Sequence, residues 1–166
     1  MRVTRERRSG DRRGSGKQRA RPPVDREVSR APDSAADPAS ENLIMVVEDD
    51  DDLRDGISYL LEACGYQVAA AADGEDALDQ LQRGVRPCVI LLDLLMPRKD
   101  GFQFRTEQMQ NPEYGHIPTI AYSGIYTGTG LRQKALTLGI TTVLEKPVDY
   151  DALLDLVEQY CTREEP

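Results

Sequence analysis

Cys88-Val89-Ile90-Leu91-Leu92-Asp93 is the stretch that decides the fold. Five apolar residues in a row, without polar alternation, read as a strand buried on both faces. The strand ends in a carboxylate, and Leu94-Leu95-Met96-Pro97-Arg98-Lys99-Asp100-Gly101 follows as a loop closed by a turn signal. Leu43-Ile44-Met45-Val46-Val47 repeats the pattern and ends in Glu48-Asp49-Asp50-Asp51-Asp52. A third strand, from about Ile117 to Tyr122, ends in Ser123, and a fourth, Thr142 to Glu145, ends in Lys146-Pro147. Open α/β sheets bind ligands outside the carboxyl ends of their strands. An acid pair, a single Asp, a hydroxyl and a Lys, each at a strand end, make a site for a divalent cation and a phosphoryl group.

Helical periodicity fills the gaps between these strands. Leu53, Ile57, Leu60, Leu61 and Cys64 recur at helical spacing and Gly65 stops the helix. Tyr66 to Ala71 reads as a strand. Asp73 caps a helix carrying Ala77, Leu78 and Leu81, with Asp76 three residues on as a short-armed capping partner. A weaker helix spans about Phe102 to Gln110. Another, from about Thr129 to Leu138, buries Leu131, Ala135 and Leu138. Asp149 caps a last helix that buries Leu153, Leu156, Val157 and Tyr160. Five strand-helix repeats with short connections predict a doubly wound α/β fold, with a parallel sheet, helices on both faces and right-handed crossovers. The expected arrangement is flavodoxin-like, order 2-1-3-4-5, with its switch point between strands one and three. Those strands end in the acid cluster and in Asp93.

The 166 residues divide by composition near residue 41. Residues 1–41 carry 11 Lys+Arg against 7 Asp+Glu, and the other 125 carry 10 against 22, so a segment of net +4 precedes one of net −12. The first segment has no aromatic residue, and Met1, Val3, Val24 and Val28 are its only bulky apolar residues. It is expected to be a disordered basic extension, because it cannot bury enough surface to offset the entropy of ordering. Arg5, Arg7, Arg8, Arg12, Arg13, Arg19 and Arg21 suit it to contact with nucleic acid, an acidic partner or an anionic membrane, or simply to solubilising the chain. Residues 42–162 are long enough for one core, and 163–166 form a tail. No stretch approaches the ~20 apolar residues that span a bilayer, and no apolar run follows the basic start as a secretory signal would require. Cys64, Cys88 and Cys161 are odd in number and far apart. Cys64 and Cys88 fall in apolar patterns and are expected to be buried reduced thiols. Together these features predict a cytoplasmic protein.

Carboxylate oxygens suit Mg²⁺, which takes one or two carboxylates with water and phosphate oxygens. Glu48, Asp49 and Asp93 brought together would repel by roughly 4 kcal/mol per pair at 4 Å and an effective dielectric near 20, unless a cation joined them. Asp51 and Asp52 read as acids of a helix start, favoured by the macrodipole. Asp50 fits either role. Lys146 after a buried strand would offset phosphoryl charge, and Ser123-Gly124 leaves room for the group to enter. His116, the only histidine, lies in a loop and is read as uninvolved.

Val46-Val47-Glu48-Asp49-Asp50, Leu91-Leu92-Asp93-Leu94-Leu95-Met96-Pro97 with Asp100-Gly101, Ser123-Gly124 and Glu145-Lys146-Pro147 resemble the motifs of bacterial response-regulator receiver domains. The resemblance covers about residues 42 to 162. It implies that Asp93 accepts a phosphoryl group from a phosphohistidine on a sensor histidine kinase or a histidine phosphotransfer protein. It implies Mg²⁺ on Asp49, Asp93 and the Leu95 carbonyl, with Glu48 acting through water. Ser123 and Lys146 would hold the phosphoryl oxygens, and Lys146-Pro147 would be cis. Such a domain is not an enzyme beyond assisting its own phosphorylation and dephosphorylation. It switches binding to a downstream protein target, and a phosphorylation-dependent dimer is compatible with it. Two departures stand out. Glu48 replaces a more usual Asp, without putting function in doubt. Val143 occupies the position of the aromatic switch residue, so signalling through the face of helix four, strand five and helix five is open to question. The chain ends at Pro166, soon after the fifth helix, and no DNA-binding domain is expected. An Asp-nucleophile phosphohydrolase of the haloacid-dehalogenase type would need an acid where Leu95 stands. A flavin binder would need a phosphate loop where five acids stand. A phosphorylation-independent binding module on the same scaffold is the remaining alternative.

Overall fold

The computed structural model describes residues 40–124, 129–140 and 142–162. Most of the expected basic extension, residues 1–39, and the tail, 163–166, lie outside the described residues. The chain runs β1 (Ser40–Val47), α1 (Asp51–Ala63), β2 (Gln67–Ala71), α2 (Gly74–Gln82), β3 (Pro87–Asp93), α3 (Gly101–Gln110), β4 (Thr119–Ser123), α4 (Thr129–Thr137), β5 (Val143–Glu145) and α5 (Tyr150–Val157). All neighbouring strands pair parallel in the order β2-β1-β3-β4-β5, as the alternation of elements predicts.

Successive strand residues point to opposite faces, and the two halves of the core follow this parity. Ile44, Val46, Val89, Leu91, Ile120 and Tyr122 pack with Ile57 and Leu61 of α1 and Leu153 and Val157 of α5. Met45, Val47, Ile90, Leu92 and Ala121 pack on the other face with α2, α3 and α4 residues such as Leu81, Phe104 and Ala135. Both faces of β1 and β3 are therefore dry, which explains their unbroken apolar runs.

The helices start where capping side chains satisfy free amides. Asp50 accepts from Leu53 N at 3.0 Å, and Asp73 accepts from Glu75 N and Asp76 N at 2.8 and 2.9 Å. Asp76 reaches back to Ala72 N at 3.1 Å, one residue beyond the expected capping partner. Asp100 and Gln103 form a reciprocal capping box at the start of α3. Gly65, Gly84 and Gly139 end three helices with positive φ. Among the described residues no helix is long and apolar enough to cross a membrane.

Three expectations are corrected. β1 begins at Ser40, inside the segment assigned to the extension, because Ser40 pairs with Pro87 and Glu41 O accepts from Thr162 N at 2.7 Å. Tyr160 is 41% exposed rather than core. Helix α5 stops at Val157, Tyr160 N turns back to Val157 O at 2.9 Å, and Cys161 enters the core instead. Cys88 is not a reduced thiol: it forms a disulfide with Cys161, 73 residues on, with Cα atoms 5.5 Å apart. Only the fold brings the base of β3 beside the segment after α5, so sequence spacing carries no signal of the bond. Cys64 is free and half-buried.

Candidate functional site

The same parity that sorts the core builds the site. Glu48 continues the series Ile44, Val46; Asp93 continues Val89, Leu91; Lys146 continues from Leu144, which packs on the α1 and α5 side. Val47 is paired with Leu92, so one further step of the register sets Glu48 beside Asp93. Asp93 in turn is paired with Tyr122, and Tyr122 with Leu144. Three strands thus deliver two carboxylates and an ammonium to one end of one face.

Lys146 Nζ donates to Asp93 Oδ2 at 2.7 Å and to Glu48 Oε2 at 2.8 Å. The Glu48 and Asp93 side chains are nearly sealed, at 1% and 4% exposure, whereas the Lys146 side chain is 22% exposed. Burial pulls the Lys146 ammonium toward its neutral form. The hydrogen bonds to Asp93 and Glu48 outweigh this and leave its pKa above the ordinary 10.5. Asp93 Oδ1 accepts from Leu95 N at 3.0 Å, which fixes the carboxylate plane. Glu48 Oε1 accepts from Asp50 N at 3.1 Å, and Glu48 N donates to Ala71 O.

Asp49 completes the acid cluster from the exposed side. Single carboxylate oxygens of Glu48, Asp49 and Asp93 lie within 4.8 Å of one another. An octahedral Mg²⁺ at about 2.1 Å from each ligand spans oxygens up to about 4.2 Å apart, so these three hard ligands fit it with small adjustment. Three carboxylates face one ammonium, and the excess negative charge favours a divalent cation.

The other expected residues fall nearby. Ser123 ends β4 and is buried, and its carbonyl accepts from Lys146 N at 3.0 Å. Gly124 is exposed, and a side chain there would reach only ordinary contact with Lys146, 4.0 Å away. Lys146-Pro147 is cis. Asp50 takes the capping role left open, and Asp51 and Asp52 occupy the first turn of α1. Leu95 is 44% exposed in the loop after Asp93. His116 is exposed, in the loop before β4. Val143 is partly buried against the α2, α3 and α4 side of the core.

Two contributors have roles that the sequence reading does not give, although Gly101 is read there as part of the turn after Asp93. Tyr122 is fully buried, donates its hydroxyl to Val47 O at 3.3 Å, and lies under Lys146 Nζ at 5.1 Å from its ring centre. Burial, with the Glu48 and Asp93 charges adding, holds its phenol well above the ordinary value, so it stays protonated. Its position directly before Ser123 was the available signal. Gly101 is the second. A Cβ there would sit 2.4 Å from Asp93 O and 2.8 Å from Leu94 Cα, so only glycine lets α3 start against the back of the Asp93 peptide. The loop between is braced by an ion pair from Arg98, which has φ 65°, to the buried Asp73.

Residues 44–158, more than half of the chain, match the response regulator receiver domain. The chain belongs to this family. It is 38% identical over 118 residues to an uncharacterized 14.6 kDa protein of Leptolyngbya boryana, covering 71% of this chain and 88% of that one. The response regulator Rre1 of Synechocystis is 28% identical over 74% of this chain, which spans only 52% of that relative. Among solved structures, the Vibrio cholerae chemotaxis protein CheY4 superimposes with a TM-score of 0.67 at 29% identity, over 73% of this chain and 99% of that one. The receiver fold expected from the motifs is thus the observed one, and residues 44–158 are a response regulator receiver domain of the two-component type.

Proposed function

We propose that this receiver is a phosphoacceptor in which Asp93 takes a phosphoryl group from a phosphohistidine on a sensor kinase or a phosphotransfer protein. The observation that carries this reading is the convergence of Glu48, Asp49, Asp93 and Lys146 at the carboxyl ends of β1, β3 and β5. A carboxylate oxygen of Asp93 forms the new bond to phosphorus as the bond from phosphorus to the donor imidazole nitrogen breaks, and the imidazole leaves with that electron pair. Leu95 N holds Oδ1, so the carboxylate does not rotate away during transfer. Lys146, already on Oδ2, follows the transferred oxygens, and Ser123 takes up another of them. Asp49, Asp93 and the Leu95 carbonyl, with Glu48 acting through water, would hold Mg²⁺, which would supply charge neutralisation for the phosphoryl oxygens.

The chemistry is confined to the chain's own modification, so the product of the reaction is a switched surface for a downstream protein, with phosphorylation-dependent dimerisation as one form of output. With a phosphohistidine on a sensor kinase as donor, the receiver would work in the cytoplasm. The basic residues that precede β1 either add a contact to an acidic partner, nucleic acid or membrane or serve to solubilise the chain. Acetyl phosphate in the presence of Mg²⁺ tests the reading. The natural chain should gain one acid-stable, base-labile phosphoryl group, and Asp93→Asn should gain none while keeping its fold. Sustained labelling of the Asp93→Asn chain would refute the assignment. Failure of the natural chain to label would favour a binding module that works without phosphorylation.

A further inference from the structure

We propose that Cys88 and Cys161 form a reversible redox site that sets how firmly the end of α5 is held to the sheet. Cys88 is the second residue of β3 and Cys161 lies four residues past the end of α5, and their disulfide joins the two. The site is separate from the phosphoryl chemistry. Asp93 lies five residues beyond Cys88 along the extended strand, about 17 Å at the rise of a β-strand.

The disulfide bears on the segment that follows α5. Helix α5 has only eight residues, too short to persist without tertiary contacts. Leu153 and Val157 bury its inner face, but Gln159 and Tyr160 beyond it are exposed. Past the helix, the backbone turns back onto α5 through Tyr160 N and Cys161 N to Val157 O, the Cys161 side chain enters the core, and Thr162 N and Oγ1 bond Glu41 O. Of these holds, the link from Cys161 to Cys88 is the one that is covalent and ties the end of α5 directly to β3. Helix α5 is also the element carried directly after Lys146-Pro147, so its order belongs to the surface that leads away from the site.

The two cysteine residues differ in exposure. Cys161 is 6% exposed, whereas Cys88 is only half-buried, which makes Cys88 the point of entry. Formation of the bond balances as thiol–disulfide exchange. The Cys88 thiolate attacks a small disulfide such as oxidised glutathione, forming a mixed disulfide and releasing one small thiol. The Cys161 thiolate then displaces the second, so two protein thiols and one small disulfide become one protein disulfide and two small thiols. A dithiol reverses both steps. In the cytoplasm proposed above, on which this reasoning in part rests, disulfides are mostly transient or redox-sensing rather than permanent.

The test uses the purified full chain carrying Cys64→Ser, so that only the pair remains, and it stands whether or not Asp93 accepts phosphate. After equilibration with oxidised glutathione a maleimide mass tag should add to no cysteine, and after a dithiol it should add to two. Hydrogen exchange of amides 157–162 should quicken at least about tenfold on reduction, and a Cys161→Ser chain should match the reduced form. Reoxidation should restore slow exchange. Two tags under oxidised glutathione, a bond between two chains, a bond that a dithiol opens only after unfolding, or equal exchange in both forms would each overturn the proposal.

Discussion

Replacing Lys146 by Met tests the electrostatic account of the site most directly. The ammonium bonds two carboxylates at 2.7 and 2.8 Å, and both are almost fully removed from solvent. Each charge-assisted bond lost exposes a stranded buried carboxylate, at roughly 1.5–3 kcal/mol apiece. The Lys146 side chain is itself 22% exposed, so water can reach part of the vacated position. A net loss of about 3 kcal/mol follows, in line with breaking one side of a buried pair. For a domain of this size that corresponds to a fall of about 12 °C in Tm. Urea and thermal unfolding followed by circular dichroism, in chelator at neutral pH, would measure it. Lys99→Met serves as the control, since Lys99 pairs with the half-exposed Glu107 and should cost no more than about 0.5 kcal/mol. The decisive arm is Glu48→Gln. With Lys146 present it removes a favourable partner and should destabilise; with Lys146→Met it removes a repulsion with Asp93 and should stabilise. The reasoning fails if Lys146→Met costs no more than Lys99→Met, or if Glu48→Gln acts with the same sign in both backgrounds.

Three further outcomes are expected. Millimolar Mg²⁺ should raise the Tm of the natural chain, by the equivalent of about 2.7 kcal/mol at a hundredfold excess over Kd, and Asp49→Ala should lose most of that response in the same thermal scan. Gly101→Ala should cost about 1–3 kcal/mol through overpacking and slow acetyl phosphate labelling, because the added Cβ displaces the Asp93 backbone. The Lys146 pKa is raised on folding, so its contribution is fully present below its ordinary value of 10.5 and is lost as pH rises through the higher folded value. The stability gap between the natural chain and Lys146→Met should thus hold through the neutral range and close only in strong alkali, as read by urea titrations at each pH.

Much of this site is legible because strand parity is a strict constraint. Once β1 and β3 are recognised as two-faced buried strands, Glu48 and Asp93 must leave the sheet on the same side, and the 2-1-3-4-5 order makes their strands neighbours. Helix α3 was harder to read for an identifiable reason. Its buried face includes Arg105 and Gln108, which break the apolar periodicity. The fold accepts them because their polar atoms find partners: Arg105 Nε donates to Leu138 O, Arg105 Nη1 to Gln108 Oε1 and Ile117 O, and Gln108 Nε2 to Tyr114 O and Ile117 O. Polar residues satisfied by distant carbonyls leave no trace in a local pattern.

The end of the chain shows the same limit in a sharper form. Helical spacing from Leu153 through Val157 continues naturally to either Tyr160 or Cys161, at three or four residues on, and the larger aromatic looks like the better core residue. What decides between them is not local. Thr162 must reach Glu41 O, and Cys161 must meet Cys88 at the base of β3, and both lie at the amino ends of the central strands. With Cys161 N bonded to Val157 O, the cysteine stays one full turn from Val157 on the buried side, and the ring of Tyr160 is turned outward. The residue that a propensity argument would place in solvent or leave as an inert thiol is thus the one that ties α5 to β3. A Tyr160→Ser change should leave the unfolding midpoint nearly unchanged, within the roughly ±0.5 kcal/mol usual for surface sites. Loss of the disulfide through Cys161→Ser should cost about 4 kcal/mol by the chain-entropy estimate for a loop of this length. If the Tyr160 change proved the more damaging of the two, the register assigned to the end of α5 would be wrong.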